Sequence, residues 1–365
     1  MNVALPNSEN RLYTLDVLRG VAALCVVFWH WQHFFYDGGA PVNFDPAQQP
    51  FFKPFTLLYQ HGGLAVQLFF TLSGFVFYWL FANEVANRSL PAARFAWDRL
   101  TRLYPLHLVT FLAVAGLQSA YSNSHQGYFV YPFNDAYHAV LNLLMMPAWG
   151  LEKGWSFNAP IWSVSVEILL YAVFFLVCLS RRGRWPLTVL ALALGSYLYP
   201  QVYKLGSGVL CFFIGGVTYG LLQQIRRWAG DTGAVWVTVP LCIVAWGWLI
   251  HGADALNGNL LLYVCYPLLV AALAGLGFLW QGLGRRWGWL GDISYASYLI
   301  HFPLQIIFAL ALDAFAFPRT VFYQEWVMLL FFAILIPLSL VSHRWLERPV
   351  QRYLRQRRPA ALGKE

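Results

Sequence analysis

The stretch PIWSVSVEILLYAVFFLVCLS, residues 160–180, holds a single ionisable carboxylate, Glu167, and runs directly into Arg181, Arg182, Gly183 and Arg184. A bilayer core of about 30 Å is crossed by roughly 20 apolar residues in helical form, so this run is long enough to span a membrane, and it ends on the cations that anchor such a span. Runs of the same kind cover residues 15–34, 62–82, 103–120, 186–203, 206–225, 233–251, 260–280, 290–312 and 326–345. The segment 137–147 is apolar but short, and reads as re-entrant or interfacial. The expectation is an all-α polytopic membrane protein of about ten transmembrane helices.

Composition agrees. Of 365 residues, 59% are hydrophobic and 11% charged, far below the charge of an ordinary soluble domain. Aromatic residues reach 18%, with 17 Trp and 20 Tyr, as suits a chain that meets two membrane interfaces many times. The net charge of +8 comes from short clusters between apolar runs rather than from one basic face, which argues against nucleic acid as a partner. The five cysteines (Cys25, Cys178, Cys211, Cys242, Cys265) all lie in apolar runs with no ligand-like spacing, so neither a disulfide framework nor a metal site is expected. The first apolar run opens with Asp16 and Arg19 and lacks a small-residue cleavage site, so it reads as a retained helix rather than a signal peptide.

Orientation follows from the cations. With ten spans and both termini cytoplasmic, nineteen Lys and Arg residues fall on the inner side, and Lys53, Lys153, Lys204 and Arg319 on the outer. The reading is one membrane domain over residues 1–345 and a basic, lipid-contacting cytoplasmic tail over 346–365.

Ionisable groups inside a span are costly and point to function. Arg19 and His30 are eleven residues apart, about 20° beyond three helical turns and about 16 Å along the axis, so they share one face. The pair suits a cytoplasmic donor met by a cation and a base placed deeper; a snorkelling Arg and a packed His would leave the same pattern. Glu167 needs a partner, and His30 is the most economical one. Arg99 and Arg102 precede Pro105 and share a helix face just inside the membrane, where guanidinium forks suit phosphates or simply fix topology. Ser294, Tyr298 and His301, spaced 4 and 3, form a polar stripe on an apolar helix that either lines a cavity or ties helices together. Walker loops, dinucleotide fingerprints, HExxH and nucleophile elbows are missing from the sequence.

In this order the motifs resemble the membrane-bound acyltransferase family 3, which includes sugar and polysaccharide O-acetyltransferases. The resemblance spans almost the whole chain. It rests on Arg19 followed by ten residues and His30, on Ser73-Gly74-Phe75, on Arg99 and Arg102 before Pro105, on Trp162-Ser163-Val164-Ser165-Val166-Glu167, and on Ser294-Tyr295 through Tyr298-Leu299-Ile300-His301. It implies an acyl-CoA co-substrate, usually acetyl-CoA, with no tightly bound cofactor, and a hydroxyl of an extracytoplasmic or lipid-linked glycan as acceptor, in a bacterial inner membrane. The expected roles are catalysis by His30 with Glu167 and Arg19, coenzyme binding by Arg19, Arg99, Arg102, Ser294, Tyr295 and Tyr298, and an acceptor pocket lined by Ser73, Trp162, Ser165 and His301. Direct transfer and an acyl group resting on His30 are both open. The chain is expected to be the stand-alone form, without a C-terminal esterase-like domain. The competing class is a proton-coupled transporter or flippase of a glycan-related substrate, whose pathways also use intramembrane Arg, Glu and His.

Overall fold

A computed structural model of the chain describes residues 11–37, 39–251 and 257–357; Arg358 and Lys364 of the expected tail lie outside them. In chain order the helices are α1 (Tyr13–Trp29), α2 (Phe52–His61), α3 (Ala65–Leu80), α4 (Ala82–Ala86), α5 (Ala92–Ser124), α6 (Ala136–Leu143), α7 (Ile161–Leu179), α8 (Arg184–Leu198), α9 (Tyr203–His251), the single turn α10 (Gly258–Leu260), α11 (Tyr266–Leu279), α12 (Trp289–Ala314), α13 (Glu325–Val341) and α14 (Arg348–Gln356). The strands found among the described residues are a two-residue hairpin, Tyr36–Asp37 paired with Ala40–Pro41. The protein is an all-α polytopic membrane protein.

Among the described residues, eight helices or helix pairs are long and apolar enough to cross a membrane. The 49-residue α9 is broken at Gly230, whose φ of 71° leaves the helical region, and so it carries two of the apolar runs, 206–225 and 233–251. The 15-residue α8 holds most of the run 186–203 and extends about 22 Å, short of a full bilayer core. The short segment 137–147 forms α6, eight residues long. Asp135 caps it, accepting from the His138 backbone N–H (2.9 Å) and ring Nδ1 (2.8 Å), which holds the carboxylate pKa below its usual range.

Lipid is as apolar as leucine, so helices pair through close backbone approach and polar contacts rather than hydrophobic drive. Between α1 and α12 the approach is made at Gly20, where a Cβ would stand 2.5 Å from the backbone carbon of Leu290. Between α3 and α9 it is made at Gly74, against the Phe212 carbonyl. The arginine-rich end of α1 is fixed to that of α12 by Arg11, which pairs with Asp16 (2.5 Å) and Asp292 (2.9 Å). At the opposite end α1 passes into a 3-10 turn, His30–Phe35. Trp31 donates from Nε1 to the Phe322 carbonyl (3.0 Å), and Phe34 stacks on Phe322 with centroids 3.8 Å apart, so the turn cannot slide along the bundle. The helix α14 lies against the start of α5, with Trp97 Nε1 donating to the Leu354 carbonyl (3.2 Å) and Arg355 paired with Asp98 (3.3 Å).

The Gly20 contact yields a matched comparison. Gly116 on α5 has nothing within 4 Å of an added Cβ. Thermal unfolding in detergent is expected to show Gly20→Ala destabilised by about 1–3 kcal/mol through overpacking against a backbone that cannot yield, and Gly116→Ala unchanged or slightly stabilised by helix propensity. Equal behaviour of the two variants would contradict the close approach.

Candidate functional site

The sequence stripe on α12 faces α1. At the arginine-rich end, Arg19 donates from Nε to Ser294 Oγ (3.1 Å) and from Nη2 to the Gly291 carbonyl (3.0 Å) and Asp16 Oδ1 (2.9 Å). Further along, His30 Nδ1 lies 2.9 Å from His301 Nε2, with the rings stacked at 4.9 Å and 13°. The shared face expected for Arg19 and His30 is present, and what it faces is α12 at both levels. Seven residues separate Ser294 from His301, a rise of about 10 Å.

The hydrogen bonds around the histidines determine where their protons sit. His301 Nδ1 is 3.3 Å from the Ser297 carbonyl, which can only accept, so that nitrogen bears the hydrogen and Nε2 presents a lone pair. That lone pair accepts from His30 Nδ1–H, and the neutral His30 is left with an unprotonated Nε2 that makes no hydrogen bond among the described residues. Gln305 completes the arrangement. Its Nε2 donates to the His30 carbonyl (2.8 Å), which turns its Oε1 toward His33 Nδ1 (3.2 Å) and makes that nitrogen the donor. His30, His33, His301 and Gln305 are all buried.

The expected partnership of Glu167 with His30 is not formed. Glu167 accepts a short hydrogen bond from Ser73 Oγ on α3 and has Tyr171 beside it. The physical reason is helix order: α12 occupies the face of α1 that His30 presents, while Glu167 on α7 points to α3. Ser73 therefore stands with Glu167 rather than with the imidazoles. Trp162 packs against Phe70 and Trp155, with centroids 6.2 and 6.1 Å away, and Ser165 is buried with its hydroxyl unpartnered and its carbonyl accepting from Trp149 Nε1 (2.9 Å). Neither contacts His30.

The remaining stripe residues tie α12 to its other neighbours. Tyr295 donates to the Leu103 carbonyl of α5 (2.6 Å), and the Tyr298 hydroxyl lies 2.9 Å from Ser163 Oγ of α7. Tyr298 lies beside the imidazole pair, with its ring centroid 6.1 Å from that of His301, and is within electrostatic range of Glu167. The three arginines converge at one end: Arg102 is within electrostatic reach of Arg19, Arg99 and Tyr295. Arg99 is held among the rings of Phe77, Phe81 and Phe95 at 5.5, 4.9 and 6.0 Å, and its Nε is buried without a partner. Arg102 is exposed and has no hydrogen-bonding partner among the described residues. The site thus has two levels along α12: a cluster of arginines from α1 and α5 at one end, and a buried imidazole pair with a free ring nitrogen further along.

Two polar groups escaped the sequence reading, His33 and Gln305. Gln305 continues the 294, 298, 301 spacing by four more residues, and His33 lies one turn beyond His30; both signals were present in the sequence.

The family profile for an acyltransferase domain matches residues 12–342, nearly the whole chain. The chain is similar to "Acyltransferase MdmB" of Streptomyces mycarofaciens, at 27% identity across 98% of this chain and 96% of that protein. It is also similar to "Protein 2 in picA locus" of Rhizobium radiobacter, at 30% identity across 51% of this chain and 91% of that protein. No solved structure matches it. With the bundle, the paired helices and this profile together, the chain belongs to the acyltransferase-3 family and is a membrane acyltransferase.

Proposed function

We propose that this protein takes an acyl group, acetyl in the first instance, from acyl-CoA on the cytoplasmic side of a bacterial inner membrane and transfers it to a hydroxyl of an extracytoplasmic or lipid-linked glycan. The observation that carries the reading is that α12 presents both levels of the site to α1: the contacts of Arg19 at one end and the His30–His301 pair about 10 Å further along. The arginine cluster suits the phosphates of a coenzyme, and the imidazole pair suits a neutral hydroxyl. The cation bias of the sequence supports the arginine-rich end as the cytoplasmic one, with both termini there.

In this reading Arg102 and Arg99, with Arg19 behind them, bind the polyanionic coenzyme, and its thioester arm runs past Ser294, Tyr295 and Tyr298 toward His30. His30 Nε2 accepts the proton of the acceptor hydroxyl as that oxygen attacks the thioester carbonyl. The new C–O ester bond forms, the C–S bond breaks, and the coenzyme leaves as a thiolate that takes the proton back from the imidazolium. His301 is a positioning residue. By accepting from His30 Nδ1–H it keeps the lone pair on Nε2 and favours the imidazolium that forms during attack. Glu167, bonded to Ser73, ties α3 to α7 instead of assisting the base.

Two outcomes follow for transfer of radiolabelled acetyl from acetyl-CoA to a glycan acceptor in membranes. His30→Ala, with the protein correctly inserted, is expected to lose about 10²–10⁴-fold in rate, the usual worth of a general base; undiminished transfer would refute the assignment. His301→Ala is expected to slow transfer and His301→Gln, whose amide oxygen can accept from His30 Nδ1–H, to restore much of it. Equal loss in both variants would mean that His301 acts only by filling space.

A further inference from the structure

A cationic cavity lies away from this site, on the flank of the bundle where α3 ends, α8 begins and α9 passes. Its volume is about 140 Å³, several times the roughly 30 Å³ share of one water. Arg184 and Arg227 line it with the amides of Gln223 and Gln224, the phenol of Tyr219 and the indole of Trp185. No carboxylate lines it.

Arg184 is held in place but has no carboxylate partner among the described residues. Its Nη1 donates to Asn83 Oδ1 (2.9 Å), its guanidinium lies 5.4 Å from the Trp185 ring centroid, and its Nε is buried with no partner. Arg226, next to the cavity residues in sequence, is neutralised by Asp231 (2.6 Å) and lies 3.9 Å from the ring centroid of Phe278. Arg227 has no such ion pair among the described residues and is exposed. The positive end of α8, which starts at Arg184, adds to the same field. A partly buried guanidinium such as that of Arg184 is costly without an anion, and a phosphate between it and the exposed Arg227 would supply one.

The surroundings select the carrier of that phosphate. Leu187, Leu190 and Leu194 on α8 are 37, 63 and 51% exposed and, spaced 3 and 4, form one aliphatic stripe that starts beside the cavity. Leu221 on α9, next in sequence to the lining residue Gly220, is 61% exposed. We infer that the cavity between α3, α8 and α9 binds the phosphate headgroup of an anionic phospholipid, with Arg184 and Arg227 on the phosphate and the acyl chains along the α8 stripe. Cationic pockets between membrane helices are the usual places for such headgroups.

The test is native mass spectrometry of the full-length protein released from mixed micelles. Wild type is expected to retain phosphatidylglycerol about tenfold over phosphatidylcholine, and Arg184→Gln/Arg227→Gln to lose that preference, while Arg285→Gln/Arg286→Gln keeps it. Should the double variant fail to fold, Arg227→Gln alone, altered at an exposed side chain, is expected to weaken retention several-fold. Unchanged retention in the cavity variants, or equal retention of both lipids by wild type, would overturn the inference. Displacement of phosphatidylglycerol by millimolar inorganic phosphate would overturn the lipid assignment and give the cavity to a soluble anion.

Discussion

The line of hydrogen bonds between α1 and α12 is the constraint on which the site depends. In a bilayer, an unpaired guanidinium or imidazole costs several kcal/mol, so each polar group that α1 carries must find its partner on a neighbouring helix. α12 supplies those partners at both levels, Ser294 and the Gly291 carbonyl for Arg19, then His301 and Gln305 for His30. Gly20 permits it, because a side chain there would hold the two helices apart. The same α12 also reaches α5 through Tyr295 and α7 through Tyr298. One helix therefore sets the distance between the arginine cluster and the imidazole pair.

In the proposed function, that arrangement keeps donor and acceptor in separate surroundings. A polyanionic donor and a neutral hydroxyl, as proposed, call for different surroundings, and two groups of side chains about 10 Å apart along one helix would let each be met by its own chemistry. The imidazole pair needs no carboxylate to orient it. The Ser297 carbonyl fixes the His301 tautomer, and His301 fixes that of His30. In a low-dielectric interior this avoids a second buried charge next to the base. His33 and Gln305 extend the same logic, since each atom of the Gln305 amide is given a defined partner.

Much of this was legible in the sequence. Helical period alone put Arg19 and His30 on one face, and the 294, 298, 301 spacing marked the face of α12 that carries polar groups. Two things were not legible. The order of helices around the bundle is not written in periodicity, so Glu167 was assigned to His30 when α12 stands there and Ser73 takes the carboxylate. Nor did hydropathy show that α1 ends at Trp29 and that His30 opens a 3-10 turn, because the turn is anchored by distant contacts of Trp31 and Phe34 with Phe322. The break at Gly230 lies in the cationic stretch between two apolar runs, and there the sequence did separate two segments that the helix nearly joins.

A donor site separate from the imidazole pair can be altered without touching His30. Equilibrium binding of radiolabelled acetyl-CoA to the detergent-purified protein tests it most directly. Wild type and His30→Ala should bind with similar affinity, and Arg102→Ala should bind about ten- to a hundredfold more weakly, the loss expected when a charge-assisted phosphate contact is removed. Unchanged binding in Arg102→Ala, or no detectable binding by folded wild type, would contradict it.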